Sequence, residues 1–120
     1  MKNKTLVFGT SLKEERYSNK AIKRLRERDI PVVAYGLKKG DILDVAIDDE
    51  LKHYESIDTV TLYLNPKRQQ EYYDYIMSLN PRRVIFNPGT ENDKFIDLLN
   101  KNGIQSEEAC TLVLLATNQY

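Results

Sequence analysis

The chain has 120 residues, 41% of them hydrophobic, which is the length of one domain with a modest core. Its 18 basic and 18 acidic side chains cancel, so no overall field points to nucleic acid or to a membrane surface, and no run approaches the ~20 apolar residues of a membrane span. A single cysteine, Cys110, excludes an internal disulfide, and one Cys with one His makes no ordinary zinc ligand set, so a cytoplasmic protein without a metal is expected.

The charge is unevenly spread. Residues 1–40 hold 11 basic and 4 acidic side chains, a net of +7, and residues 41–120 carry the compensating −7. An anionic ligand is therefore sought near the first forty residues.

Short apolar runs alternate with stretches of helical period. "TLVFG" (Thr5 to Gly9) reads as a buried first strand, rich in β-branched and aromatic residues. A loop of some eight residues follows, and Ser18 is placed to cap a helix whose apolar stripe is Ala21, Ile22 and Leu25. "IPVVAYG" (Ile30 to Gly36) is the second strand. The acidic stretch from Leu37 to Ile57 is irregular, and its Val-Ala-Ile run is expected to cross over with a short strand or a single helical turn.

"DTVTLYL" (Asp58 to Leu64) is the third strand, and Asn65 with Pro66 forms an N-cap and first-position pair for the next helix. That helix turns Tyr72, Tyr73, Ile76 and Leu79 inward and leaves Tyr75 for a subunit contact. "RRVIFN" (Arg82 to Asn87) is the fourth strand; a helix starting near Thr90 buries Phe95, Ile96 and Leu99 and stops at Gly103. A weak fifth strand around "IQSEE" and a short terminal helix in "CTLVLLATNQY" complete the chain. The alternation predicts an α/β fold over residues 1–120, a doubly wound five-stranded parallel sheet of order 3-2-1-4-5 with helices on both faces.

In such a sheet a ligand sits at the carboxyl ends of the strands, where the strand order reverses. The loop after the first strand has one glycine, Gly9, and is too long for the tight G-x-G-x-x-G turn. Thr10, Ser11 and Ser18 offer hydroxyls, Arg16 a charge, and a helix N-terminus offers unpaired N–H groups, a set suited to wrapping a diphosphate. The second strand ends "AYGLKKG" with no acid for an NAD ribose; Lys38 and Lys39 suit a phosphorylated ribose, as in NADP or coenzyme A. "LNPKR" and "FNPGTEN" each place Asn-Pro directly after a strand, where proline turns the backbone sharply across the mouth.

"LVFGTSLKEERYSNKAIKRLRERDIPVVAYGLKKGDIL", "IDTVTLYLNPKR", "VIFNPGTEN" and "EACTLVLL" together resemble the small stand-alone CoA-binding domain proteins, which are similar to the N-terminal CoA-binding domain of the succinyl-CoA synthetase α subunit. The resemblance implies a Rossmann-like domain with CoA or an acyl-CoA across the carboxyl edge. It places the diphosphate near Gly9, Thr10, Ser11 and the segment Arg16, Tyr17 and Ser18, and the adenosine phosphate near Gly36 and Lys38. Leu64, Asn65 and Pro66, with Asn87, Pro88 and Gly89, would border the pantetheine arm. Many members have Val-Phe-Arg and Gln-x-Gly where this chain has "YLNPKR" and "FNPGTEN".

No general base or nucleophile lines the four loops, so the expected function is a CoA-binding module without its own catalytic activity, either alone, as a homodimer or beside a partner enzyme subunit. The alternatives are an NADP-dependent oxidoreductase-like protein and an interaction scaffold with a decayed nucleotide site. His53, within "DDELKHYE", reads as solvated, and Cys110 as a buried packing residue, with a mixed disulfide to CoA as the alternative.

Overall fold

The computed structural model describes residues 3–120. Seven strands form one sheet: β1 (Thr5–Thr10), β2 (Val32–Gly36), β3 (Gly40–Ile42), β4 (Val45–Asp48), β5 (Thr59–Leu62), β6 (Arg83–Phe86) and β7 (Gln105–Glu108). Their order is β3-β4-β2-β1-β5-β6-β7. All neighbours pair parallel except β3, which runs antiparallel to β4.

This corrects the five-stranded expectation. The Val-Ala-Ile run is a strand, and it takes the place beside β2 that the sequence reading assigned to Thr59–Leu62; the latter pairs with the opposite side of β1. The physical reason lies in burial. Val45 and Ile47 alternate with an exposed Ala46, giving a half-buried strand that must sit toward one border, whereas all four residues of β5 are buried and need neighbours on both sides. The reversal of strand order consequently falls between β1 and β5.

Helices cover both faces. On one face α1 (Tyr17–Glu27) and α5 (Thr111–Ala116) pack Ile22, Leu25 and Leu115 on Val7, Ala34 and Ile47. The other face carries α2 (Pro66–Gln69), a 3-10 turn at Gln70–Tyr72, α3 (Tyr73–Ser78) and α4 (Asp93–Lys101). There Tyr73, Ile76, Phe95 and Leu99 meet Leu6, Phe8, Val60, Leu62, Val84 and Phe86. Strand residues alternate between the two cores, as the pleat requires.

The helix ends obey local chemistry. α1 stops where Asp29 takes φ 57° and the Ile30 N–H reaches back to the Leu25 carbonyl at 3.1 Å; α4 ends the same way at Gly103, φ 72°, with the Ile104 N–H on Leu99 at 2.9 Å. Two expected starts differ. α1 is capped by Arg16 without a side-chain hydrogen bond, and Ser18 lies inside the first turn; α4 is capped by Asn92, whose side chain accepts from the Phe95 N–H, and not from Thr90. Asn65 and Pro66 do cap α2 as read.

The stretch between β4 and β5 crosses the second face and is clasped by tyrosines. The Tyr54 hydroxyl donates to Asp48 at 2.5 Å and the Tyr75 hydroxyl to the Lys52 carbonyl at 2.5 Å, while Tyr35 and Tyr72 stack on or edge toward Phe8 at 4.8 and 5.0 Å. Tyr75 is half-buried in this clasp. Burial, reinforced by the hydrogen bond to Asp48, pushes the Tyr54 phenol far above its ordinary value, and burial pushes Tyr75 up to about 12.

Candidate functional site

The carboxyl edge at the β1/β5 reversal is built on a bulge. Pairing of β1 with β2 slips between Phe8 and Thr10, and Gly9 at the slip has φ 97°. A Cβ on Gly9 would stand 3.0 Å from the Leu64 side chain and 3.1 Å from the Tyr63 carbonyl carbon. The glycine therefore brings the end of β1 directly against the segment that leaves β5. Gly36, at the end of β2, is pressed harder: its Cβ would lie 2.3 Å from the Thr10 carbonyl oxygen. Both glycines serve close backbone packing at the mouth.

The loop from Ser11 to Arg16 folds onto the start of α1. The Ser11 N–H donates to Ser18 Oγ at 3.1 Å, the Ser11 carbonyl accepts from Asn19 Nδ2 at 3.1 Å, and Ser11 Oγ accepts from the Lys13 N–H. Thr10 is buried, its hydroxyl spent on the Val7 carbonyl at 3.0 Å. Arg16 makes no side-chain cap to α1, so the amides of the first turn stand without intrahelical partners, beside the exposed Arg16. Asn19, only 2% exposed, leaves its Oδ1 unpartnered.

Three large apolar side chains stand exposed around this mouth: Leu12 at 42%, Tyr17 at 62% and Leu37 at 70%. Leu12 leans on Gly40, and Lys20 lies 5.5 Å over the Tyr17 ring. Among the described residues six large hydrophobic side chains are exposed, and these three are half of them. Lys38 is exposed beside Leu37, and Lys39 faces Asp49 at 3.9 Å.

The two Asn-Pro pairs look alike in sequence but do different work. Asn65 is exposed and caps its own helix, accepting from the Arg68 N–H at 2.9 Å. Asn87 is 2% exposed and caps a remote one: its Oδ1 accepts the Thr111 N–H at 2.9 Å, while Nδ2 donates to Thr61 Oγ1 at 2.6 Å and to the Leu62 carbonyl at 2.9 Å. Pro88 and Gly89 beyond it are exposed; Gly89, φ 92°, meets nothing within 4 Å of a Cβ. Thr90 is buried and donates to the Asn87 carbonyl at 2.7 Å.

Cys110 is half-buried and begins α5 at this same edge, next to Thr111, whose hydroxyl bonds Thr61 at 2.8 Å. Tyr63 lies close by, and burial pushes its phenol up to about 12. His53 is exposed in the clasped segment. Among the described residues no group of three metal-ligating side chains gathers, and no helix is long and apolar enough to cross a membrane.

Sequence reasoning missed Asn19, Gln69 and Asn92. Gln69 carried a usable signal: it lies three, four and seven residues before Tyr72, Tyr73 and Ile76, on the buried stripe itself, and a polar residue there must bond internally. A groove of about 670 Å³ between α1 and α5, lined by Lys20, Lys23, Arg24, Arg28, Leu112 and Leu115, lies off this edge. Its cations are engaged within the chain, Lys23 with Glu14 at 3.5 Å, Arg24 with Glu27 at 3.4 Å and Arg28 with Asn118 at 2.7 Å. The loop edge is the better candidate.

The predominantly parallel sheet with helices on both faces and a reversal of strand order between β1 and β5 places the protein in the Rossmann-like α/β class. Residues 3–116 match the family described as CoA binding domain, and the chain belongs to that family. A solved structure of an uncharacterized protein is 42% identical, with a TM-score of 0.97 over 100% of this chain and 99% of that one. A Thermus thermophilus protein shares the fold at 17% identity and a TM-score of 0.87, covering 99% of this chain and 91% of its own. A hypothetical protein from Pyrococcus horikoshii does so at 24% and 0.84, over 93% and 80%. Comparison with curated proteins found no match.

Proposed function

We propose that this chain is a single CoA-binding domain without catalytic activity of its own, holding CoA or an acyl-CoA along the carboxyl edge of the sheet. The family match over residues 3–116 carries the reading. The geometry supports it at three points. The uncapped start of α1 with Arg16, Tyr17 and Ser18 beside the Gly9–Thr10–Ser11 turn suits a diphosphate, because free amides and a positive dipole end face the anion. Leu12, Tyr17 and Leu37 offer apolar surface to the adenine, and Lys38 after Gly36 a charge to the ribose phosphate. The seam between Leu64–Asn65–Pro66 and Asn87–Pro88–Gly89 leads away from that end and fits the pantetheine arm.

A thermal-shift panel of CoA, acetyl-CoA, NAD and NADP tests this. Ligand at ~100 times its dissociation constant stabilises the fold by about 2.7 kcal/mol, a rise on the order of ten degrees for a domain of this size. CoA and acetyl-CoA should give the shift, and the double variant Arg16→Glu, Lys38→Glu should abolish it. A shift with NADP and none with CoA points instead to the oxidoreductase-like alternative, and no shift with any of the four to an interaction scaffold.

A further inference from the structure

Beyond the last paired residues of β5 and β6, Leu62 and Phe86, no backbone hydrogen bond among the described residues joins the two loops that follow. What joins them is one side chain. Gln69 is fully buried, and its Nε2 donates both protons: one to the Leu64 carbonyl at 2.8 Å in the first loop, the other to the Thr90 carbonyl at 2.8 Å in the second. Its Oε1 accepts from Asn92 Nδ2 at 2.9 Å, and the same amide nitrogen donates to the Tyr73 hydroxyl at 2.8 Å. Asn92 Oδ1 accepts the Phe95 N–H at 3.2 Å, so the chain of bonds is anchored in α3 and α4.

We propose that Gln69 is a positioning residue that fixes the separation of the Leu64–Pro66 and Asn87–Thr90 loops, and thereby the width of the channel for the pantetheine arm; this rests on the CoA reading above. An amide with both protons committed to carbonyls on different loops holds those carbonyls at one spacing, and the bond from Asn92 stops the amide from rotating. An aliphatic side chain of the same length fills the volume but leaves two buried carbonyls unsatisfied, and the loops part to let water reach them. The nucleotide end is built on β1, β2 and α1, which share no hydrogen bond with Gln69, Asn92 or Tyr73 among the described residues. Leu64 also packs on Gly9, but the hydrogen bonds of Gln69 are made on the pantetheine side, so its effect falls mainly on that half of the ligand.

Titration calorimetry of the wild type and Gln69→Met with CoA and with adenosine 3′,5′-bisphosphate, which lacks the pantetheine arm, separates the two halves. The variant should bind CoA about tenfold more weakly and the bisphosphate within about twofold of wild type. A purely structural role would lower the melting temperature and leave the ratio of the two affinities unchanged, and that result overturns the proposal. Should Gln69→Met fail to fold, Asn92→Asp keeps the α4 cap acceptor, removes the donations to Gln69 and Tyr73, and should shift the same ratio in the same direction. A wild type that binds neither ligand overturns the CoA reading and this proposal together; a wild type that binds CoA with an unmoved ratio in the variant overturns the proposal alone.

Discussion

The two asparagines that precede proline give a direct test of how burial decides the worth of a hydrogen bond. Asn87→Ala removes three bonds at a site 2% exposed and leaves the Leu62 carbonyl and the Thr111 N–H, both backbone groups, without partners. Each buried orphan costs about 1–3 kcal/mol, and a water entering the space of the lost amide recovers part of it, so a loss of about 3 kcal/mol is expected. Asn65→Ala removes one bond, from the Arg68 N–H at 2.9 Å, at an exposed cap where water replaces it, and should cost about 1 kcal/mol. With a urea m-value of about 1.5–2 kcal/mol/M, the unfolding midpoint should fall by roughly 1.5–2 M for Asn87→Ala and about 0.5 M for Asn65→Ala, at unchanged m. Equal shifts for the two variants, or a shift below about 0.5 M for Asn87→Ala, would refute the assignment of Asn87 as a brace between β5, β6 and α5.

Gly36→Ala should be among the more damaging single-methyl additions in the chain, because the new carbon meets a backbone oxygen at 2.3 Å and neither strand can yield without losing pairs; about 3 kcal/mol, or roughly ten degrees in Tm, is expected by thermal denaturation, and a change of under two degrees contradicts the packing. Stability should also be lost in acid. Burial raises the carboxyls of Asp48 and Asp58, but hydrogen bonds from Lys52 and Tyr54 to the first, and from Arg82 and Thr59 to the second, outweigh it and hold both below the ordinary 3.8. A depressed folded pKa contributes stability above the unfolded value and loses it as pH falls through the folded one, so Tm should respond little to these groups from about pH 5 to 8 and drop below about pH 4. Melts of Asp48→Asn, Asp58→Asn should show a shallower acid limb than wild type; an identical limb would mean that other groups carry it.

Five of the six parallel strands, β1, β2, β5, β6 and β7, and four of the helical segments are legible from apolar runs, Asn-Pro caps and Gly103. The β3–β4 hairpin is not. Its two-residue turn is Leu43-Asp44, with Leu43 exposed at φ 54°, where a sequence reader looks for Asn-Gly or Asp-Gly. Lacking that signal, the sequence leaves the Val-Ala-Ile run open between a short strand and a single helical turn, and the five-stranded order omits it. The start of α1 was misread for a related reason. Ser18 has the right chemistry for a cap, but its oxygen is used by the Ser11 N–H, a partner defined only once the loop has folded back. For the candidate site, loop composition proposes the edge and the residues along it. Which of them face a ligand and which brace the scaffold depended on burial: Asn65 and Asn87 read identically in the chain and differ only in three dimensions.

The borders of the sheet give the charge distribution a second meaning. β3, at one border, is three residues long and carries Asp41; β7, at the other, ends in Glu107 and Glu108. Two copies meeting border to border would set carboxylates against carboxylates while trying to form a ladder only a few residues long; Arg83 pairs with Glu107 at 3.2 Å within the chain, which leaves Asp41 and Glu108 as the exposed acids of the two borders. Acid of residues 41–120 thus stands at both places where an open sheet is prone to grow, and a short charged border discourages a further strand from pairing there.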